Sequence, residues 1–233
     1  MKRFILLIIA LVIISFNVSA QQIAVVNGSG NTSIYDSFDS AITSAPSGST
    51  IYLPGGGFQH DPEVKITRRL TIMGISHKST SENADGNTLI GGNICFAPGS
   101  DGSAIMGCYL TNDVQIGDGG RVSNILLKYN NINSIQVMTD SCPGIKVNQN
   151  YVRSASNFRG SNVYYSNNIS HYIDGVHSGI VEYNTFIGYR SASYTYQQFC
   201  VNGSNYTSKY NIICEKLSGS LDDVGSINID MGR

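Results

Sequence analysis

From about residue 104 onward the chain repeats a short pattern. An apolar residue is followed two or three places later by asparagine, and the position two after the asparagine is apolar again. It reads Leu127-Lys128-Tyr129-Asn130-Asn131-Ile132, then Val147-Asn148-Gln149-Asn150-Tyr151-Val152. Further copies are Tyr164-Tyr165-Ser166-Asn167-Asn168-Ile169, Val181-Glu182-Tyr183-Asn184-Thr185-Phe186 and Ser208-Lys209-Tyr210-Asn211-Ile212-Ile213. An earlier copy, Ile105-Met106-Gly107-Cys108-Tyr109-Leu110, carries Cys108 in place of asparagine. Aligned on Cys108, Asn130, Asn150, Asn167, Asn184 and Asn211, the steps are 22, 20, 17, 17 and 27 residues. A period near twenty built from short strands predicts a solenoid, because one repeat cannot bury its own apolar face and must stack on its neighbours. Asparagine suits the tight turns, since it tolerates left-handed backbone and its amide can bond to copies above and below.

Only one helical period occurs between the N-terminal apolar run and the C-terminus. Phe38, Ala41, Ile42 and Ala45 share one helix face, and Pro46-Ser47-Gly48 ends the segment. The strand Thr50–Leu53 and a glycine turn follow. A short amphipathic helix there suits the open end of a solenoid, which otherwise exposes unpaired backbone and core side chains.

These residues resemble the pectin-lyase-like superfamily of right-handed parallel β-helices, over about residues 34–215. The resemblance implies an all-β solenoid with an N-terminal capping helix. The expected layout is a signal peptide at 1–20, a cap at 21–60 and a parallel β-helix at 61–233. The superfold hosts lyases, hydrolases, adhesins and inert modules, so it implies little about activity.

The N-terminus reads as a secretory signal: Lys2 and Arg3, an apolar stretch from Phe4 to Phe16, then Val18-Ser19-Ala20 before Gln21. The apolar run is short of a bilayer span. The expected location is therefore secreted, periplasmic or cell surface, with no stable membrane span after cleavage. Cleavage leaves 13 basic and 16 acidic residues, a formal charge of −3, with no basic run to follow a phosphate backbone. Nucleic acid is not an expected partner. Five cysteines, an odd number, leave at least one thiol unpaired in an oxidising compartment; Cys200 and Cys214 could bridge if adjacent turns meet.

Strand fragments between the repeats alternate inward and outward. Taking the middle residue of each as outward gives a stripe of Lys65, Cys95, Gln115, Gln136, Arg159, His177 and Cys200. Gln115, Gln136, Arg159 and His177 are the candidate binding residues, with Arg190, Tyr194 and Tyr196 from the wide interval 184–211 as one wall. Arg159 and His177 are also the catalytic candidates, if the protein is an enzyme. Glutamine bonds sugar hydroxyls, arginine forks onto a carboxylate, and histidine can move a proton near neutrality.

In the resembling polysaccharide lyases, calcium-binding carboxylates and a basic residue occupy an outward groove. The stripe as read contains no carboxylate, with Asp113, Asp118, Asp140 and Asp174 falling near turns, and no catalytic set carries over. No metal or other cofactor is expected; calcium enters only with the lyase reading. His171, Asp174 and His177 match no metal spacing, and Asp174-Gly175 reads as a turn. The first expectation is a non-catalytic extracellular β-helix that binds carbohydrate, an acidic polysaccharide above all, or another extracellular partner. A small uronate lyase is the alternative, and a structural module of a larger assembly is the second. Oligomeric state is left open.

Overall fold

The computed structural model describes residues 21–77, 86–140, 142–190, 201–217 and 224–230. The segment 1–20, expected to be a signal peptide, therefore lies outside the described residues, as do Tyr194, Tyr196 and Cys200; the side chain of Arg190 is likewise outside them.

The chain is all-β apart from one short helix among these residues. A hairpin, β1 (Ile23–Val26) and β2 (Thr32–Tyr35), leads into the helix α1 (Phe38–Ser44) and then β3 (Ser49–Tyr52). The Ser37 hydroxyl accepts from the Ser40 amide at 3.2 Å and caps α1. Phe38, Ala41 and Ile42 are buried, the face the 3.6-residue period selects.

From there the chain passes back and forth between two sheets. The strands run β4 (Gly56–Ile66), β5 (Leu70–Met73), β6 (Thr88–Phe96), β7 (Ala104–Met106), β8 (Tyr109–Ile116) and β9 (Leu126–Lys128). Next come β10 (Asn131–Val137), β11 (Lys146–Asn148), β12 (Tyr151–Phe158), β13 (Val163–Ser166), β14 (Ile169–Ser170) and β15 (Ile173–Val176). The last are β16 (Gly179–Glu182), β17 (Thr185–Arg190), β18 (Val201–Gly203), β19 (Tyr206–Lys209), β20 (Asn211–Leu217) and β21 (Val224–Asp230). β14 and β15, β17 and β18, and β20 and β21 are consecutive in the same sheet.

A ten-stranded sheet takes β19-β16-β13-β11-β9-β7-β5-β3-β1-β2, and an eleven-stranded sheet takes β21-β20-β17-β14-β12-β10-β8-β6-β4 together with β15 and β18. Pairing is parallel except at the ends, where β1 pairs antiparallel with β2 and β3, and β20 with β21. Two long parallel sheets that the chain visits in turn fit a β-solenoid. Each circuit through both sheets adds one inward row to the core. Leu127, Val147, Tyr165 and Val181 face in from one sheet; Leu110, Ile132, Val152 and Phe186 face in from the other. Burial of each such side chain is worth about 1.5–3 kcal/mol.

The corner between the two sheets holds the recurrent asparagines, with one correction of register. Asn168, not Asn167, is the stacked residue. Asn130, Asn150, Asn168, Asn184 and Asn211 form a buried ladder. In each step the next asparagine's Oδ1 accepts both the backbone N–H and the amide N–H of the one before, at 2.8–3.2 Å. Each Nδ2 also donates at 2.9 Å to an inward residue's carbonyl, from Ile105 O for Asn130 to Val181 O for Asn211. Cys108 takes the first rung through its backbone alone, donating to Asn130 Oδ1 at 3.0 Å.

The true steps are thus 22, 20, 18, 16 and 27. The left-handed residue is the one before each rung: Gly107, Tyr129, Gln149, Asn167, Tyr183 and Tyr210, all with φ between 55° and 69°. Turn and ladder are therefore separate tasks on adjacent residues. The shift also leaves Ile169 outside, 47% exposed, and puts Ser170 in the core row. Ser170 is small because Tyr165 reaches across the core, stacks on Phe186, and donates its hydroxyl to Ser170 Oγ at 2.9 Å.

Candidate binding face

The outer face of the eleven-stranded sheet carries two groups of side chains. The first follows directly from the ladder. Residues one and three after each asparagine point away from the core, because strand side chains alternate. Tyr109, Asn131 and Tyr151 are consecutive register partners across β8, β10 and β12. Asn133 and Arg153 stand two residues further along, where Arg153 Nη1 approaches Asn133 Oδ1 at 3.5 Å.

These five residues line a groove of about 380 Å³. His171 stands next to Tyr151: its Nε2 lies 3.2 Å from the Tyr151 hydroxyl, and the two rings meet edge-on at 6.1 Å. Burial, assisted by the Arg153 charge, lowers the His171 pKa, which keeps the imidazole neutral near pH 7. The groove thus offers aromatic rings, amides and one guanidinium, the chemistry that recognises a polyhydroxylated ligand. None of its residues was singled out from the sequence. The signal was present, since extending the two-residue alternation past each asparagine reaches Tyr109, Asn131, Asn133, Tyr151 and Arg153.

The second group lies further along the same strands. Lys65, Cys95, Gln115 and Gln136 are register partners in that order, so these members of the expected stripe do align. Cys95 is on this side of the sheet but fully covered. Its thiol donates toward Glu63 Oε2 at 3.2 Å and toward Gln115 Oε1 at 3.3 Å. Burial first, and the neighbouring Glu63 second, push that thiol up to about 12, so it is not a thiolate at neutral pH.

The row itself contains no carboxylate, but carboxylates lie beside it. Glu63 and Asp118 flank Cys95, Lys65 Nζ sits 2.6 Å from Asp118 Oδ2, and Gln136 Nε2 donates to Asp113 Oδ2 at 3.1 Å. Asp118 holds the Lys65 pKa above its ordinary value. The ligand atoms of Glu63, Cys95 and Asp118 lie within 4.8 Å of one another, close enough for one metal ion. Lys65 and the thiol proton already answer both carboxylates.

Arg159 and His177 stand apart from this row. A bulge in β12 pairs Gln136 with Ser156 and Val137 with Phe158, so Arg159 falls one residue past the sheet. Its guanidinium lies 3.8 Å from Asp140. His177 likewise follows the end of β15. Both therefore sit at the corner where the strands leave the sheet. Asp174-Gly175 is not a free turn; both residues belong to β15, with Gly175 at φ 88°. Cys95, Cys108 and Cys142 are free thiols.

No helix among the described residues is long and apolar enough to cross a membrane. Compared with known proteins, the chain matches no family model, no curated protein and no solved structure.

Proposed function

We propose that this protein is an extracellular right-handed parallel β-helix of the pectin-lyase type that binds carbohydrate without cleaving it, with α1 as its N-terminal cap. The reading rests on one observation above all: the Tyr109–Asn131–Tyr151 row with Asn133 and Arg153 in a single open groove. Tyrosine rings pack on the apolar faces of sugars, side-chain amides bond their hydroxyls, and arginine forks onto a uronate carboxylate. Gln115 and Gln136 continue the same face, and Arg159 and His177 stand at its far margin. An acidic polysaccharide is the ligand class this mixture favours.

The test is retention on immobilised polysaccharides, one polyuronate and one neutral. Wild type should be held on the polyuronate and released by salt, since exposed charge contacts are screened. Arg153→Ala and Tyr151→Ala should each reduce retention several-fold with unchanged melting temperature. Equal retention of both variants and wild type would remove the groove from the account. An unsaturated, ultraviolet-absorbing product from the polyuronate would replace binding with lyase action.

A further inference from the structure

The corner residues before the asparagine ladder are an anomaly of residue choice. All six sit in left-handed backbone, from Gly107 through Tyr129, Gln149, Asn167 and Tyr183 to Tyr210. Backbone bonds such as Tyr129 N to Asn148 O and Asn167 N to Glu182 O stack them one circuit apart. Glycine and asparagine take this conformation most readily, and Gly107 and Asn167 show that the corner accepts both.

Three positions nevertheless hold tyrosine, whose bulk makes the conformation costly. Burial does not compensate: Tyr129, Tyr183 and Tyr210 remain 45%, 54% and 47% exposed. Tyr183 and Tyr210 stack on each other, centroids 5.2 Å apart and planes 15° from parallel. Lysine ammoniums lie over two of the rings, Lys128 at 4.6 Å from the Tyr129 centroid and Lys209 at 5.7 Å from that of Tyr210. Lys209 is shared with Glu182 at 3.2 Å. Tyr129 and Tyr210 are four circuits apart, about 19 Å at the usual interstrand spacing.

We propose that this tyrosine corner is a second binding strip, taking an extended acidic polysaccharide that runs along the stacking axis. The exposed edges and hydroxyls of the rings meet the sugars, with Tyr129 three circuits from the stacked Tyr183–Tyr210 pair, and Lys128 and Lys209 receive carboxylates. The strip borders the same sheet, since each corner tyrosine is two residues before an outward position of the eleven-stranded sheet, Asn131, Thr185 and Ile212, and Tyr129 adjoins the groove at Asn131. The proposal rests on the carbohydrate reading above and assigns the ligand its direction.

The test uses Tyr129→Asn and Tyr183→Asn, singly and together, because asparagine is native to this corner at 167. The strip predicts opposite signs for two measurements. The melting temperature stays level or rises, because the backbone conformation becomes easier, while retention of the double variant on the polyuronate falls at least three-fold. A lower melting temperature with unchanged retention would make the rings structural and overturn the strip. Loss of retention in Arg153→Ala but not in the tyrosine double variant would overturn the strip and leave the groove standing. A wild type that neither column retains would overturn the carbohydrate reading and the strip with it.

Discussion

The eleven-stranded sheet meets amide side chains in two settings. At its starting corner, Asn130 to Asn211 stack in the interior, and every rung between the first and the last has Oδ1 and Nδ2 both engaged. On its outer face Gln115 and Gln136 also stack in register, yet they are half-buried and end on Cys95 and Asp113. The chemistry is the same and the surroundings differ. A buried amide without partners carries its full desolvation cost, so the ladder must be complete. An outer amide can exchange its partner for water or ligand at little cost. Interior amides therefore define the register of the fold, and exterior ones remain available to a ligand.

The largest expected effect is at the ladder. Asn168→Ala strands the Asn150 amide and the Val147 carbonyl, and should cost about 3 kcal/mol, the penalty of leaving buried polar groups unpaired. Asn167→Gly, one residue away in left-handed backbone, should change stability by about 0.5 kcal/mol or less. Chemical denaturation of both variants checks the corrected register; equal losses would erase the distinction between turn and rung.

His60 offers the intermediate case, a buried polar group with no partner on either ring nitrogen. Burial lowers its pKa, with the Asp39 charge acting in the opposite sense. The sign follows from linkage. Above about pH 6.5 both states are neutral; as pH falls below it, the unfolded chain takes up a proton that the folded one resists, and stability is lost. His77 and His171 are lowered too and add to the same loss. His60→Phe should therefore flatten, without abolishing, the fall of melting temperature between pH 7.5 and 5. An unchanged slope would mean that His60 gains a proton acceptor or water in the folded protein.

Gln136→Ala should have the smallest effect, within about 0.5 kcal/mol, because water replaces its contact with Asp113. A loss comparable to that of Asn168→Ala would show that the outer stripe is structural, and would end the contrast between the two amide columns.

The asparagine recurrence was legible because one residue type had to return at every circuit, and the period of that return implied stacked parallel strands. The Phe38–Ile42 face was legible because a helix buries one stripe. Gln115 and Gln136 were legible as neighbours because Val114-Gln115-Ile116 and Ile135-Gln136-Val137 each alternate without a break and pair in register. The rung after Asn150 was misread because Asn167 and Asn168 are chemically identical; only the stacking of Asn168 between Asn150 and Asn184 tells them apart. Arg159 was misaligned because a bulge shifts β12 by one residue after Ser156, and a bulge leaves no residue-type signature here. The carboxylates around Cys95 were hidden for a similar reason. Glu63 belongs to the circuit before Cys95, and Asp113 and Asp118 to the circuit after it, and nothing local marks them as its neighbours. The sequence by itself determined the period, the inward rows and the helix face, which are local patterns of one side chain after another. Only the tertiary structure decided which asparagine is a rung and which outward residues share a groove, because those depend on register between strands some twenty residues apart.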